Sequence, residues 1–152
     1  MLDLIIKNGK CYIDGKLEEK DIAIKDGKIL KIGKISEECK DTYDAKDQTV
    51  LPGCIDTQTH FREPGSTDTE DLHSGSRAAI VGGITAVFEM PNTNPPTATK
   101  KEFQRKLDLA KNRMYCNYAF YFGATADNAN ELAELKNLEG CCGIKLFAGS
   151  ST

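Results

Sequence analysis

The chain has 152 residues, 39% hydrophobic and 28% charged, with a formal net charge of −3 and a pI near 5.4. That composition belongs to a globular polypeptide and excludes a disordered or collagenous one, and no apolar run approaches the ~20 residues of a membrane helix. The mild acidity offers neither nucleic acid nor an anionic membrane a complementary surface.

The start, Met1-Leu2-Asp3-Leu4-Ile5-Ile6-Lys7, has neither the basic leader nor the apolar core of a signal peptide, so the cytoplasm is the expected compartment. Six cysteines (Cys11, Cys39, Cys54, Cys116, Cys141, Cys142) include no Cys-x-x-Cys pair. Four fall in runs read as strands, where a thiol packs as a small hydrophobe, so reduced structural thiols are expected rather than a cysteine metal site.

Residues 1–51 read as a small β module. Leu2–Ile6, Asp21–Lys25 and Lys28–Ile32 are isoleucine-rich runs of alternating polarity, and Asn8-Gly9, Asp14-Gly15 and Asp26-Gly27 supply hairpin signals. The charged stretch Ser36–Lys46 reads as a loop. From Gly53 strands alternate with helices, the pattern of parallel βα units. The predicted elements are a strand Cys54–His60 and a helix capped by a Thr67/Glu70 box and ending at Gly82-Gly83. A strand Ile84–Met90 and a helix Lys100–Arg113 follow, with Phe103, Leu107, Ala110 and Met114 on its apolar stripe. Next come a strand Asn117–Gly123 and a short helix capped by Asp127, with Ala129, Leu132 and Ala133 inward. A strand Cys142–Phe147 ends the series.

The expected fold class is therefore α/β. A small β-sandwich module (1–51) precedes about four βα units (52–152), the first half of a (β/α)₈ barrel. A full barrel takes ~250 residues, so the chain reads as the N-terminal part of a longer protein.

The chemistry-bearing residues gather at the C-terminal ends of these strands, where barrel enzymes place their sites. In Gly53-Cys54-Ile55-Asp56-Thr57-Gln58-Thr59-His60-Phe61-Arg62-Glu63-Pro64-Gly65 the polar residues Asp56, Gln58, His60 and Arg62 recur every second position. In a strand that period puts all four on one face, suited to a metal or an anion and poor for packing. Lys145 lies between Ile144 and Leu146, and a lysine aimed into a barrel must be paired or modified. Arg62 offers a planar fork to a carboxylate and Asn92, after the second barrel strand, an amide donor. His73 reads as an exposed helix residue.

The first run resembles the Asp-x-His-x-His-Phe-Arg-Glu-Pro-Gly signature of the dihydroorotases, cyclic-amide hydrolases of the amidohydrolase superfamily. Gln58 stands where that signature has its first metal-binding histidine. Glu89-Met90-Pro91-Asn92-Thr93 resembles the family's Met-Pro-Asn-Thr loop, and Gly143-Ile144-Lys145-Leu146-Phe147-Ala148-Gly149-Ser150-Ser151-Thr152 looks like the stretch whose lysine is carboxylated in many members.

The resemblance implies reversible, zinc-dependent hydrolysis of dihydroorotate to N-carbamoyl-aspartate in pyrimidine synthesis. His60, a carboxylated Lys145 bridging one or two zinc ions and, as a weak neutral donor, Gln58 would hold metal. Arg62 and Asn92 would hold the substrate carboxylate. The general acid/base aspartate is expected beyond Thr152, so residues 1–152 alone are expected to be inactive. A homodimer or a complex with aspartate carbamoyltransferase is the assembly implied. Two other readings stand beside this one: a non-catalytic structural partner of aspartate carbamoyltransferase, favoured by Gln58, and another cyclic amidohydrolase, an allantoinase or dihydropyrimidinase. The form of the first run that carries Arg62 points to dihydroorotase among these.

Overall fold

The computed structural model describes residues 1–149, which divide into two compact units meeting at Pro52/Gly53. The first unit is a five-stranded sheet of β1 (Leu2–Ile13), β2 (Lys16–Lys25), β3 (Lys28–Gly33), β4 (Cys39–Asp44) and β5 (Thr49–Val50). Asp14-Gly15 and Asp26-Gly27 turn the two antiparallel hairpins with positive φ at both positions, as tight turns that follow the strand twist require.

Asn8-Gly9 is not a turn. The pairing with β2 continues through it, with one extra residue on β1 between Ile6 and Gly9, so it is a bulge. The bulge divides β1 between two parallel neighbours, β4 along Leu2–Lys7 and β5 at Lys10–Cys11. A Cβ at Gly9 would lie 2.6 Å from the Val50 side chain, so only glycine admits β5 there. The stretch read as a loop, Ser36–Lys46, contains β4. Its side chains are almost all exposed, so composition hides a strand that is held through its main chain.

The second unit is a four-stranded, all-parallel sheet in sequential order, β6 (Cys54–Thr59), β7 (Ile84–Glu89), β8 (Asn117–Gly123) and β9 (Cys141–Lys145). Helices α1 (Leu72–Val81) and α2 (Lys100–Ala110) and a 3₁₀ segment (Ala129–Asn137) make the crossovers. The core joins sheet to helices through Phe61, Leu72, Val87, Phe103, Ala110, Cys116, Phe120, Phe122 and Leu135.

Three local expectations change. Helix α1 is capped by Asp71, whose side chain accepts from Ser74 N, because Thr67, Thr69 and Glu70 are already bonded into turns on Gly65 and Ser66. Helix α2 stops at Ala110 rather than Arg113 because Asn112 takes φ +60. The last crossover is 3₁₀, with three residues per turn, so Leu132, Leu135 and Leu138 share the inner face and Ala129 and Ala133 are exposed. All six cysteines are free, and no helix among the described residues is long and apolar enough to cross a membrane.

Candidate active site at the ends of β6 and β7

The end of β6 departs from a regular strand. Asp56 pairs with Val87 and Thr59 with Glu89, so β6 carries one extra residue between them. That bulge breaks the strict alternation on which a shared face for Asp56, Gln58, His60 and Arg62 depended. The Asp56 carboxylate instead accepts from Gln58 N at 2.9 Å. Arg62 lies beyond the strand with φ +55 and an exposed side chain. Exposed Gln58 and half-buried His60 remain at the strand end.

The structure brings His60 and Asn92 together. His60 Nδ1 lies 2.9 Å from Asn92 Oδ1. With the amide oxygen as acceptor, Nδ1 carries the proton and Nε2 keeps its lone pair, the form a metal ligand needs. The same contact leaves both Asn92 amide protons available to an anion. The loop after β6 docks on the loop after β7, because Asn94 N donates to Pro64 O at 2.9 Å and Gly65 packs on Asn94 with φ +128. Arg62 and Asn92 therefore sit on neighbouring loops.

Lys145 ends β9 in register with Gly123, and its ammonium lies 5.1 Å from the centre of the Phe147 ring. No hydrogen bond or ion pair joins it to His60 or Asn92 among the described residues. Ser150, Ser151 and Thr152 of its motif lie outside the described residues.

Beneath the site are two buried acids, Glu63 and Glu89, whose contacts the sequence pattern does not show. Glu63 is 7% exposed and accepts from Leu72 N at 2.9 Å and from the Arg113 guanidinium at 2.8 and 3.1 Å. It anchors the start of α1, and its carboxylate holds the Arg113 pKa up. Glu89, fully buried, accepts from Thr59 Oγ1 (3.1 Å) and Phe61 N (3.0 Å). It also pairs with the fully buried Lys106 at 3.3 Å, and Lys106 donates to Met90 O at 3.0 Å. Burial pushes the Glu89 carboxyl up and the Lys106 ammonium down, each opposed by its partner. Because every neighbour of the carboxylate is a donor, the hydrogen bonding suits its ionised form. A signal was present: Lys106 interrupts the apolar side of α2 beside Phe103 and Ala110, and a lysine there calls for an acid across the layer.

Against zinc chemistry, His60 fits and the set as a whole does not. Gln58 offers a neutral amide, an unmodified Lys145 ammonium has no lone pair to give, and no three His, Cys, Asp or Glu side chains converge among the described residues. The described residues supply one good ligand and no complete metal centre.

A sequence profile of the amidohydrolase family matches residues 49–145. An allantoinase of Escherichia coli O1:K1 / APEC is 40% identical over 149 residues, 97% of this chain and 33% of that protein. A dihydroorotase of Methanosarcina mazei is 39% identical over 154 residues, 100% of this chain and 34% of that protein. The L-hydantoinase (dihydropyrimidinase) from Arthrobacter aurescens superimposes with a TM-score of 0.87 at 32% identity, over 95% of this chain and 32% of that one. The chain thus spans about a third of the length of these relatives. Strands β6 to β9 with their crossovers are the opening units of the amidohydrolase (β/α)₈ barrel, preceded by a β-rich module. By its matched span, its strand order and its relatives, this chain belongs to the amidohydrolase family.

Proposed function

We propose that this chain contributes the first four βα units of a metal-dependent cyclic amidohydrolase whose substrate is dihydroorotate, hydrolysed reversibly to N-carbamoyl-aspartate. The observation that carries the site is the His60–Asn92 hydrogen bond. It leaves the imidazole Nε2 free for a metal and the Asn92 amide protons free for the substrate carboxylate, with the Arg62 loop docked alongside. Arginine and asparagine together suit an anionic ring substrate better than a neutral one. Lys145, carboxylated, would be a second metal ligand. Further ligands and the proton-transferring acid would come from other strands of a complete barrel.

Family membership supports the hydrolase class, and the similar identities to an allantoinase and a dihydroorotase support two substrates equally. The second reading is therefore another cyclic amidohydrolase, an allantoinase or dihydropyrimidinase.

The test is turnover of dihydroorotate, allantoin and hydantoin by the full-length protein, wild type and Arg62→Ala. Dihydroorotate should be preferred, and loss of Arg62 should raise its KM by about tenfold or more, the loss of one charge-assisted contact. Preference for allantoin or hydantoin would overturn the substrate assignment. Activity that appears only in Gln58→His would instead favour the non-catalytic partner.

A further inference from the structure

We propose that Glu89, with Lys106 behind it, is a positioning residue of this site, fixing the imidazole of His60 against Asn92 without touching either. The inference rests on the reading of His60 and Asn92 as site residues. The carboxylate bonds the residues on both sides of His60: Oε2 accepts from Thr59 Oγ1 at 3.1 Å and from Phe61 N at 3.0 Å. The Thr59 hydroxyl has one proton to share between this oxygen and Phe88 O, 3.3 Å away. Oε1 takes Lys106 Nζ at 3.3 Å, and Nζ also donates to Met90 O, two residues before Asn92. One buried pair therefore clamps the Thr59 hydroxyl and the backbone at 61 and 90, and the hydrogen-bonded side chains at 60 and 92 project from that clamp.

Packing alone does not explain the pair. Both side chains are at most 1% exposed, and well-packed apolar residues of similar volume would fill the same layer at equal or better stability. Apolar residues cannot supply directional bonds to one hydroxyl and two backbone atoms at the ends of two adjacent strands. The Lys106 ammonium also lies 5.1 Å from the centre of the Phe120 ring, which fixes its approach from α2. Residues of this kind, which orient a ligand through its neighbours, cost ~10–100-fold in affinity or activity when removed.

The experiment uses full-length protein labelled with ¹⁵N-histidine, with the His60 signals assigned by their loss in His60→Asn. The variants are Thr59→Val, Lys106→Met and Glu89→Gln, each read for His60 tautomer, melting temperature and kcat/KM on cyclic amides. The expected result is a single Nδ1–H tautomer in the wild type and a mixture in the variants, with a ~10–100-fold fall in kcat/KM beyond any change in the folded fraction. Thr59→Val keeps side-chain shape and the ion pair while deleting one bond of the clamp, so it decides the matter if Glu89→Gln or Lys106→Met fails to fold. A lowered melting temperature with an unchanged tautomer and unchanged kcat/KM would make the pair structural only and overturn the proposal. Tautomer mixing in a protein whose wild type hydrolyses none of the cyclic amides would uphold the clamp and sink the function proposed above.

Discussion

Glu63 sits in the same short run as His60 and Arg62, yet its contacts assign it to the scaffold, and Glu63→Ala tests that assignment. The substitution removes the acceptor from Leu72 N at the start of α1, where Leu72 is fully buried. An orphaned buried N–H costs about 1–3 kcal/mol. It also releases the Arg113 guanidinium, whose side chain is 36% exposed and keeps the Leu109 carbonyl at 2.9 Å. Water can re-solvate it, so this part is discounted to about 1 kcal/mol. The expected loss is about 2–4 kcal/mol in all. Arg113→Ala should cost less because Leu72 N keeps its partner. The two changes share the bidentate contact, so a double-mutant cycle should return a coupling of about 1–2 kcal/mol. The assay is urea unfolding of the four proteins by far-UV circular dichroism. A loss under about 0.5 kcal/mol for Glu63→Ala, the scale of an ordinary surface change, or a coupling of zero would refute the account.

Three further outcomes follow from single contacts. Backbone and side-chain bonds from Ser74 hold the Asp71 carboxyl below its usual range, so its contribution to stability is present above the unfolded carboxylate pKa, about 3.9. That contribution is lost as pH falls through the lower folded value. Asp71→Asn should keep the cap at neutral pH, within about 0.5 kcal/mol, and remove this part of the acid sensitivity; an unchanged acid limb in a pH titration of stability would contradict it. Gly75→Ala should destabilise by about 1–3 kcal/mol despite the better helix propensity of alanine. The new Cβ would lie 2.5 Å from the Phe61 ring, and a raised melting temperature would show that the ring can move aside. Burial, and after it Cys141, pushes the Cys142 thiol up to about 11. Only about one molecule in a thousand would carry its thiolate at pH 8, so Cys142 should react with iodoacetamide far more slowly than an unperturbed thiol, read by peptide mass spectrometry.

The βα order was legible because Gly82-Gly83 closes α1 and the stripe of Phe103, Leu107, Ala110 and Met114 marks α2 between two strand-like runs. Strand β4 was not, since a strand held by main-chain bonds with exposed side chains leaves no periodic trace. The site was half legible. His60, Arg62 and Asn92 could be named from their motifs, but their relation could not, because the bulge sets Asp56 apart from the residues after it, Arg62 lies beyond the strand and Asn92 comes from another loop. The His60–Asn92 bond spans 32 positions and two strands, a pairing that no local pattern encodes. Lys106 and Glu89 were each anomalous alone, a lysine on an apolar helix side and a glutamate in an apolar strand. Only their separation of 3.3 Å turns two anomalies into one device.

The run from Gln58 to Glu63 shows how one segment can serve a site and a core together. Thr59, Phe61 and Glu63 are all buried, whereas Gln58 and Arg62 are exposed and His60 is half-buried. The alternation of a strand thus persists past the last ladder bond of β6, and what sustains it is side-chain bonding. Glu89 takes Thr59 and Phe61 N, and Arg113 and Leu72 N take Glu63. An irregular segment bonded at every second residue has little freedom left at the residues between. His60 and Arg62 can therefore be presented from an unpaired segment with the rigidity of a sheet, which suits the site roles proposed for them. The consequence is a division of mutational effects along six consecutive residues. Changes at 61 and 63 should act first on stability, changes at 58, 60 and 62 on ligand binding with the fold intact, and Thr59→Val on the orientation of His60.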